Sequence, residues 1–182
     1  RQMGYNGLKK SWIFPGQASQ FVGMGKDLFD NTDIGKKYYN LANDILEVDI
    51  QDISFNGPEE KLKITKYTQP AIFIVSSLIS HLLTESGHVP GCVAGHSLGE
   101  YSALTAAGGI SFETGLELVK IRSNSMDKAG ITNPGTMAAI IGLNMDSVVK
   151  LANSIKTNEV IVAANHNTEN QIVISGNINA VN

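Results

Sequence analysis

The chain has 182 residues, enough to bury one sizeable core and leave a small second lobe. Hydrophobic residues make up 42% and charged residues 17%, the balance of an ordinary globular protein, and a formal net charge of −3 gives no reason to expect a nucleic-acid partner. No apolar run approaches the ~20 residues that cross a bilayer, and the single cysteine, Cys92, excludes an internal disulfide and leaves no partner for a thiolate metal site.

The first ten residues, Arg1 to Lys10, are basic and polar with no apolar signal segment behind them, and read as a tail. The composition fits a cytoplasmic protein. The chain starts without Met and stops at Asn182 in what reads as the opening of a helix, so a fragment of a longer protein is expected.

Ser11 to Phe14 reads as a short strand, broken by Pro15-Gly16 and followed by a polar loop, Gln17 to Gln20. A loop leaving the end of a strand in an α/β sheet is where ligand contacts usually lie. Tyr38, Leu41, Ala42, Ile45 and Leu46 recur at helical spacing, and Glu59 to Leu62 begins another short helix after the turn Asn56-Gly57-Pro58. Thr68-Gln69-Pro70 opens a long helix that runs through Leu82 and ends near Ser86-Gly87, with Thr68 or Gln69 as its cap and Pro70 in its first turn. That helix is apolar on more than one face, so deep burial is expected.

Cys92 to Ala94 reads as a buried strand, with Cys92 as a small core hydrophobe. A further helix runs from Ser111 or Phe112 to about Lys128. Short strands alternating with helices predict a mainly parallel α/β sheet covered on both sides, over 11–130. The rhythm changes after Gly130. Thr136 to Leu143 reads as a strand, and Met145 to Ile155 as a helix with Val148, Val149, Leu151 and Ala152 toward the core. Val160 to Ala164 and Gln171 to Ser175 are two more strands, joined by a polar hairpin loop from Asn165 to Asn170. Strand, helix, strand, strand, helix start is the opening of a small ferredoxin-like lobe over 131–182, with one strand still to come.

The stretch that promises chemistry is Gly95-His96-Ser97-Leu98-Gly99, a Gly-x-Ser-x-Gly between a predicted strand and a predicted helix. That context is a nucleophile elbow, in which the serine tops a tight turn and the glycines allow strand and helix to approach. Ser97 would then stand at a helix N-terminus, where free N–H groups favour developing negative charge. A serine nucleophile needs a base, usually histidine. His96 adjoins the nucleophile and is better suited to supporting the turn. His81 falls on the long buried helix and His88 in a turn, both read as structural or solvated, whereas His166 is the tempting base within the chain. Arg122 lies at the edge of a stripe made by Phe112, Leu116, Val119 and Met126. There it either snorkels to water or meets an anion, and facing a pocket it would bind a carboxylate in bidentate fashion.

Several stretches resemble one family in one order. Phe14 to Gln20 is similar to the FPGQGSQ loop of the malonyl-CoA:acyl carrier protein transacylases and of the acyltransferase domains of fatty-acid and polyketide synthases. Thr68-Gln69-Pro70-Ala71 resembles their TQPA helix start, and Gly95 to Leu104 their GHSLGEYSAL elbow. Val119 to Met126 is similar to their LVxxRxxxM, Gly135 to Leu143 to their GTMAAIIGL, and Ala164 to Gly176 to their VNxNxxxQxVIAG hairpin. The match runs in register from Trp12 to Asn182.

The resemblance implies an α/β-hydrolase-like core with an inserted ferredoxin-like lobe, and an enzyme in which Ser97 is acylated by malonyl-CoA and passes the malonyl group to the phosphopantetheine thiol of acyl carrier protein, in fatty-acid biosynthesis. It implies an oxyanion hole from the backbone N–H groups of Gln17 and Leu98, and it puts Arg122 on the malonate carboxylate. Gln69, Asn165, Asn167 and His96 are then substrate-pocket residues. No resident cofactor, no metal, no membrane and a monomer are expected. Lys61, Lys63, Lys66 and Lys120 are candidate contacts for the acidic carrier protein. Two departures stand out. Ala18 replaces a glycine of the loop, which argues against a positive φ there. The general-base histidine of the family lies downstream of the small lobe, beyond Asn182, which demotes His166 and predicts no turnover by these 182 residues alone. The rivals are an acyltransferase domain of a polyketide synthase, an esterase-like serine hydrolase of the same fold, and a non-catalytic module of a larger synthase.

Overall fold

A computed structural model describes residues 10–155 and 158–182; of the expected tail, all but Lys10 lies outside the described residues. The chain divides into two compact units, Arg1–Asp127 and Lys128–Asn182.

The first unit holds β1 (Ser11–Phe14), α1 (Lys26–Asn31), α2 (Asp33–Leu46), α3 (Ile50–Asn56), α4 (Glu59–Leu62), α5 (Thr65–Glu85), β2 (Cys92–Gly95), α6 (Gly99–Ala106) and most of α7 (Phe112–Thr132). Local chemistry sets several of these boundaries. The Thr32 hydroxyl accepts from the Gly35 N–H at the start of α2, and the Asp49 carboxylate does the same for Asp52 in α3. β1 and β2 pair in parallel from Ser11 opposite Cys92 to Phe14 opposite Gly95. This register delivers the ends of both strands, and the turns that follow them, to one place.

The core of this unit lies among helices. Tyr39 and Ala42 of α2, Ile50 and Ile53 of α3, Ile72, Phe73, Ile74 and Leu78 of α5, and Leu116 and Val119 of α7 are all buried in one cluster. Tyr38 stacks on Phe112, and Phe112 on Phe73, binding α2, α7 and α5 together. The sheet is not covered on both sides by the described residues. Ile13 is 78% exposed, and Cys92, expected in the core, is exposed with its Sγ 3.0 Å from the Ser11 hydroxyl. Two four-residue strands offer too little apolar face to organise a core, so the stripes of the long helices bury one another instead.

α5 also starts earlier than its sequence suggests. The helix begins at Thr65, and Thr68 and Gln69 are fully buried inside it rather than capping it. The Thr68 hydroxyl donates back to the carbonyls of Leu62 and Ile64, at 2.5 and 3.2 Å. Pro70 thus occupies the helix interior, where it forfeits one backbone bond near the N-terminal end. Burial of the flanking Gln69, Ala71 and Ile72 outweighs that local signal.

The second unit contains β3 (Gly135–Ile141), α8 (Met145–Ser154), β4 (Ile161–Thr168), β5 (Gln171–Asn177) and α9 (Ile178–Val181). Its three strands are antiparallel in the order β3-β5-β4. Asn144 caps α8 by accepting from the Ser147 N–H. Val148 and Ala152, four residues apart on one helix face, are buried, and Val148 clusters with Ile172 and Ile174 of β5. Val149 and Leu151 are 38% and 49% exposed, because a period of 3.6 residues rotates them to the flanks. Asn165, His166 and Asn167, expected in a loop, belong to β4; register shifts on either side of Asn165–His166 let the strand carry these polar residues.

Candidate active site

β2 ends at Gly95, α6 starts at Gly99, and the three residues between them make the turn. Ser97 stands at its apex with φ +55°, a left-handed backbone that a non-glycine residue adopts at a cost. The crowding that holds it there is steric. A Cβ on Gly95 would run into the backbone of Gly99, and one on Gly99 into the carbonyl oxygen of Phe14. The His96 N–H donates to the Phe14 carbonyl at 3.0 Å, and the Gly99 N–H to the His96 carbonyl at 2.9 Å, locking the elbow against the end of β1. Leu98 is buried and anchors the turn from below, while the Ser97 side is exposed. The Leu98 N–H falls at the helix start, among the amides that an α-helix leaves without an intrahelical acceptor.

The loop after β1 lies against this elbow. Gly16 packs so close to His96 that a Cβ would come within 2.7 Å of its carbonyl oxygen and 3.0 Å of its Nδ1. His96 therefore sits beside the loop. The Ser19 hydroxyl donates to the Gly16 carbonyl at 2.8 Å, the Ala18 N–H to Gln20 Oε1 at 2.9 Å, and Gln17 Nε2 to Thr65 Oγ1 at 3.2 Å. The first two bonds close the loop on itself, and the third ties it to the start of α5. Ala18 has φ +82° despite its Cβ, contrary to the expectation from its side chain. The closed hydrogen-bonding of Gly16 to Gln20 sets the loop conformation and imposes the strain on whichever residue occupies that place.

Arg122 comes from α7 and does not snorkel. Its NH2 group donates to Ser97 Oγ at 2.9 Å and its NH1 group to Gln69 Oε1 at 2.6 Å. The guanidinium also lies 5.9 Å from the centroid of the Tyr101 ring, within cation–π range. Gln69 is fully buried in α5, and its Nε2 donates to Met126 Sδ at 3.3 Å. Serine hydroxyl, cation and buried amide thus form one continuous chain from the turn before α6 through α7 to α5. An anchored guanidinium beside a serine hydroxyl can hold a substrate carboxylate next to the atom that is attacked.

Tyr101, Thr65 and Met126 were not legible as site residues. Tyr101 reads as part of the apolar elbow helix and Met126 as part of the α7 stripe; the only hint was that Met126 follows Arg122 by one helical turn. Asn165 and Asn167 lie in β4 of the second unit, where Asn167 Nδ2 donates to Gln171 Oε1 at 3.0 Å. His166 is its neighbour in that strand. His81 meets Tyr38 Oη at 3.3 Å and Glu85 at 3.2 Å, a structural setting. Of the four lysines, Lys63 pairs with Glu59 at 2.7 Å and Lys120 holds Glu47 and the Ile45 carbonyl. Lys61 and Lys66 lie over the Tyr67 ring, at 5.8 and 4.9 Å. Among the described residues no group of His, Cys, Asp and Glu is arranged to hold a metal, and no helix is long and apolar enough to cross a membrane.

Comparison with known proteins gives consistent relatives. The acyl transferase domain family matches residues 11–182. A malonyl CoA-acyl carrier protein transacylase of Bacillus subtilis is 38% identical over 147 residues, covering 81% of this chain and 46% of the relative. One from Synechocystis is 42% identical over 164 residues, covering 85% of this chain and 54% of the relative. Among solved structures, the malonyl CoA-acyl carrier protein transacylase of Coxiella burnetii superposes with a TM-score of 0.89 at 36% identity, over 95% of this chain and 55% of that one. A malonyl-transacylase solved in complex with a type II polyketide acyl-carrier protein superposes with a TM-score of 0.87 at 36% identity, over 96% and 57%. The chain spans about half the length of the relatives it matches.

Proposed function

Because the chain belongs to the acyl transferase family, we propose that it carries the nucleophile and the carboxylate clamp of a malonyl-CoA:acyl carrier protein transacylase. Ser97 Oγ attacks the thioester carbonyl carbon of malonyl-CoA. The tetrahedral intermediate places its negative oxygen on the N–H groups of Gln17 and Leu98, where one donor is typically worth ~10²–10³ in rate. Collapse expels the thiolate of coenzyme A, which leaves as the thiol with the proton taken from Ser97 by a general base. The thiol of the phosphopantetheine arm of acyl carrier protein then attacks the malonyl-serine ester and regenerates the hydroxyl. The family resemblance assigns that base to a histidine downstream of the small lobe, and His96 supports the elbow from beside the loop.

The observation that carries this reading is the 2.9 Å contact between Arg122 and Ser97 Oγ, with Arg122 held from behind by Gln69. A neutral ester needs no cation at that place, which sets this site apart from an esterase. A malonyl donor presents a free carboxylate one methylene from the attacked carbonyl, within reach of a guanidinium that already touches the nucleophile. In the finer fold reading, the first unit is the α/β-hydrolase-like core. The second, with β5 between β3 and β4, is a ferredoxin-like lobe, and Asn165 and Asn167 of its β4 are the substrate residues that the family resemblance implies. Lys61 and Lys66, presented beside Tyr67 near the Gln17–Thr65 contact, face an acidic carrier protein. The chemistry needs no resident cofactor, and a monomer in the cytoplasm fits it.

The test is mass spectrometry of the protein after brief exposure to malonyl-CoA. A malonyl adduct is expected on the peptide containing Ser97 and absent from Ser97→Ala. An adduct that forms equally well in Ser97→Ala sinks the assignment.

A further inference from the structure

The amide of Gln69 is fully buried, and its two ends face opposite kinds of group. Its oxygen accepts from Arg122 NH1 at 2.6 Å, and its nitrogen donates to the thioether of Met126 at 3.3 Å. A buried amide turned end for end would set its N–H₂ against a guanidinium that can only donate, and its oxygen against a sulfur that can only accept. Arg122 and Met126 lie one turn apart on α7, so together they read the polarity of a side chain projected from α5. We infer that Met126 is a positioning residue for the malonyl clamp, acting through Gln69: its sulfur fixes the amide orientation that presents Oε1 to Arg122 and thereby aims the guanidinium at the substrate carboxylate beside Ser97.

This inference rests on Arg122 being the carboxylate clamp. Two features separate Met126 from a mere core filler. It is 45% exposed, so its side chain is not needed to close the core, and the hydrogen bond it accepts leads to a wholly buried group. Gln69 is fully buried, so its amide depends on partners within the protein.

The experiment compares single-turnover acylation of Ser97 by malonyl-CoA and by neutral acetyl-CoA in the complete gene product, for the parent, Met126→Leu, Gln69→Leu and the double variant. Leucine keeps the apolar bulk and removes the acceptor. Met126→Leu is expected to lower malonyl acylation relative to acetyl by roughly fivefold to tenfold, the equivalent of one lost hydrogen bond in a charged network. The effect should vanish in the Gln69→Leu background, because the sulfur then has no amide to orient. An unchanged malonyl-to-acetyl ratio in Met126→Leu, or a loss that simply adds to that of Gln69→Leu, overturns the inference. Arg122→Ala serves as the separate control. If it keeps the malonyl preference, the clamp itself is wrong; if it loses the preference while Met126→Leu keeps it, only the role of Met126 falls.

Discussion

Arg122 donates a hydrogen bond to Ser97 Oγ, from a helix that begins after the elbow helix has ended, at 2.9 Å. On the proposed function, the cation occupies in the resting site the place beside Ser97 that a substrate carboxylate would claim. Binding of an acidic acyl group would then exchange one partner of the guanidinium for a stronger, charged one and free the serine oxygen. Arg122→Ala is expected to reduce acylation by malonyl-CoA by about 10²-fold or more, the loss of a charge-assisted bidentate contact, while neutral acyl donors lose far less. Arg122→Lys should recover little, since an ammonium cannot hold Gln69 and a carboxylate with one planar fork. Steady-state kcat/KM for the two donor types measures both.

The elbow makes a prediction about stability as much as activity. Adding one methyl group at Gly95 or Gly99 drives it into main-chain atoms, which cannot step aside as a side chain can. Gly99→Ala and Gly95→Ala are expected to destabilise the fold by about 3 kcal/mol or more, beyond ordinary overpacking. Thermal unfolding followed by circular dichroism would register this; a melting temperature equal to that of the parent would contradict the close approach.

Ala18 offers the opposite case. Its φ of +82° is unfavourable for a residue with a Cβ. Glycine removes that strain, worth roughly 1–2 kcal/mol, but makes the unfolded chain more flexible by about 0.4–1 kcal/mol. Ala18→Gly should therefore be neutral to stabilising by about 0.5–1 kcal/mol, whereas Ala18→Val should be clearly destabilising. Chemical denaturation midpoints of the three proteins give the order directly.

Tyr39 links the core to alkaline pH. Burial, and then the negative charge of Asp27, push its phenol well above the ordinary tyrosine value of 10.0. The folded state thus holds the proton more tightly than the unfolded one. The resulting stability is complete below about pH 10 and is lost progressively as pH rises above the unfolded value toward the folded one. Ionisation of Tyr39 should accordingly appear only together with unfolding, read as tyrosinate absorbance rising with the loss of helical signal. Tyr39→Phe should flatten the stability profile above pH 10 relative to the parent, at the cost of the 3.3 Å bond to the Met24 carbonyl.

The exposed pair of Glu59 and Lys63 on the short helix α4 is a weaker feature. The hydrogen bond and charge of Lys63 hold the Glu59 carboxyl below its usual range, and the hydrogen bond and charge of Glu59 in turn raise Lys63. What the pair contributes is present above the unfolded carboxylate value, fades as pH falls through the lower folded one, and is lost again when Lys63 deprotonates in strong alkali. Both groups are fully exposed, so Glu59→Gln should leave stability at neutral pH nearly unchanged in high salt. A double-mutant cycle with Lys63→Gln at low and high ionic strength checks this.

The sequence by itself determined the elbow. Gly95, Ser97 and Gly99 lie within five residues, and the need for a bare Cα where strand and helix touch is a steric rule that acts between near neighbours. It also determined the long helices and their apolar faces, because helical spacing is local. Only the tertiary structure decided where polar side chains point. Gln69 and Arg122 are 53 residues apart, and neither periodicity nor composition says that the amide is buried and turned toward the guanidinium. The start of α5 and the exposure of Cys92 were likewise hidden, since burial of neighbouring residues overrode a local cap signal in the first and the two-stranded sheet left the second uncovered. At Ala18 the hydrogen bonds of the surrounding loop, not the preference of the residue, fixed the backbone. Short-range sterics can be read along the chain; the direction of a hydrogen bond between distant helices exists only once they have packed.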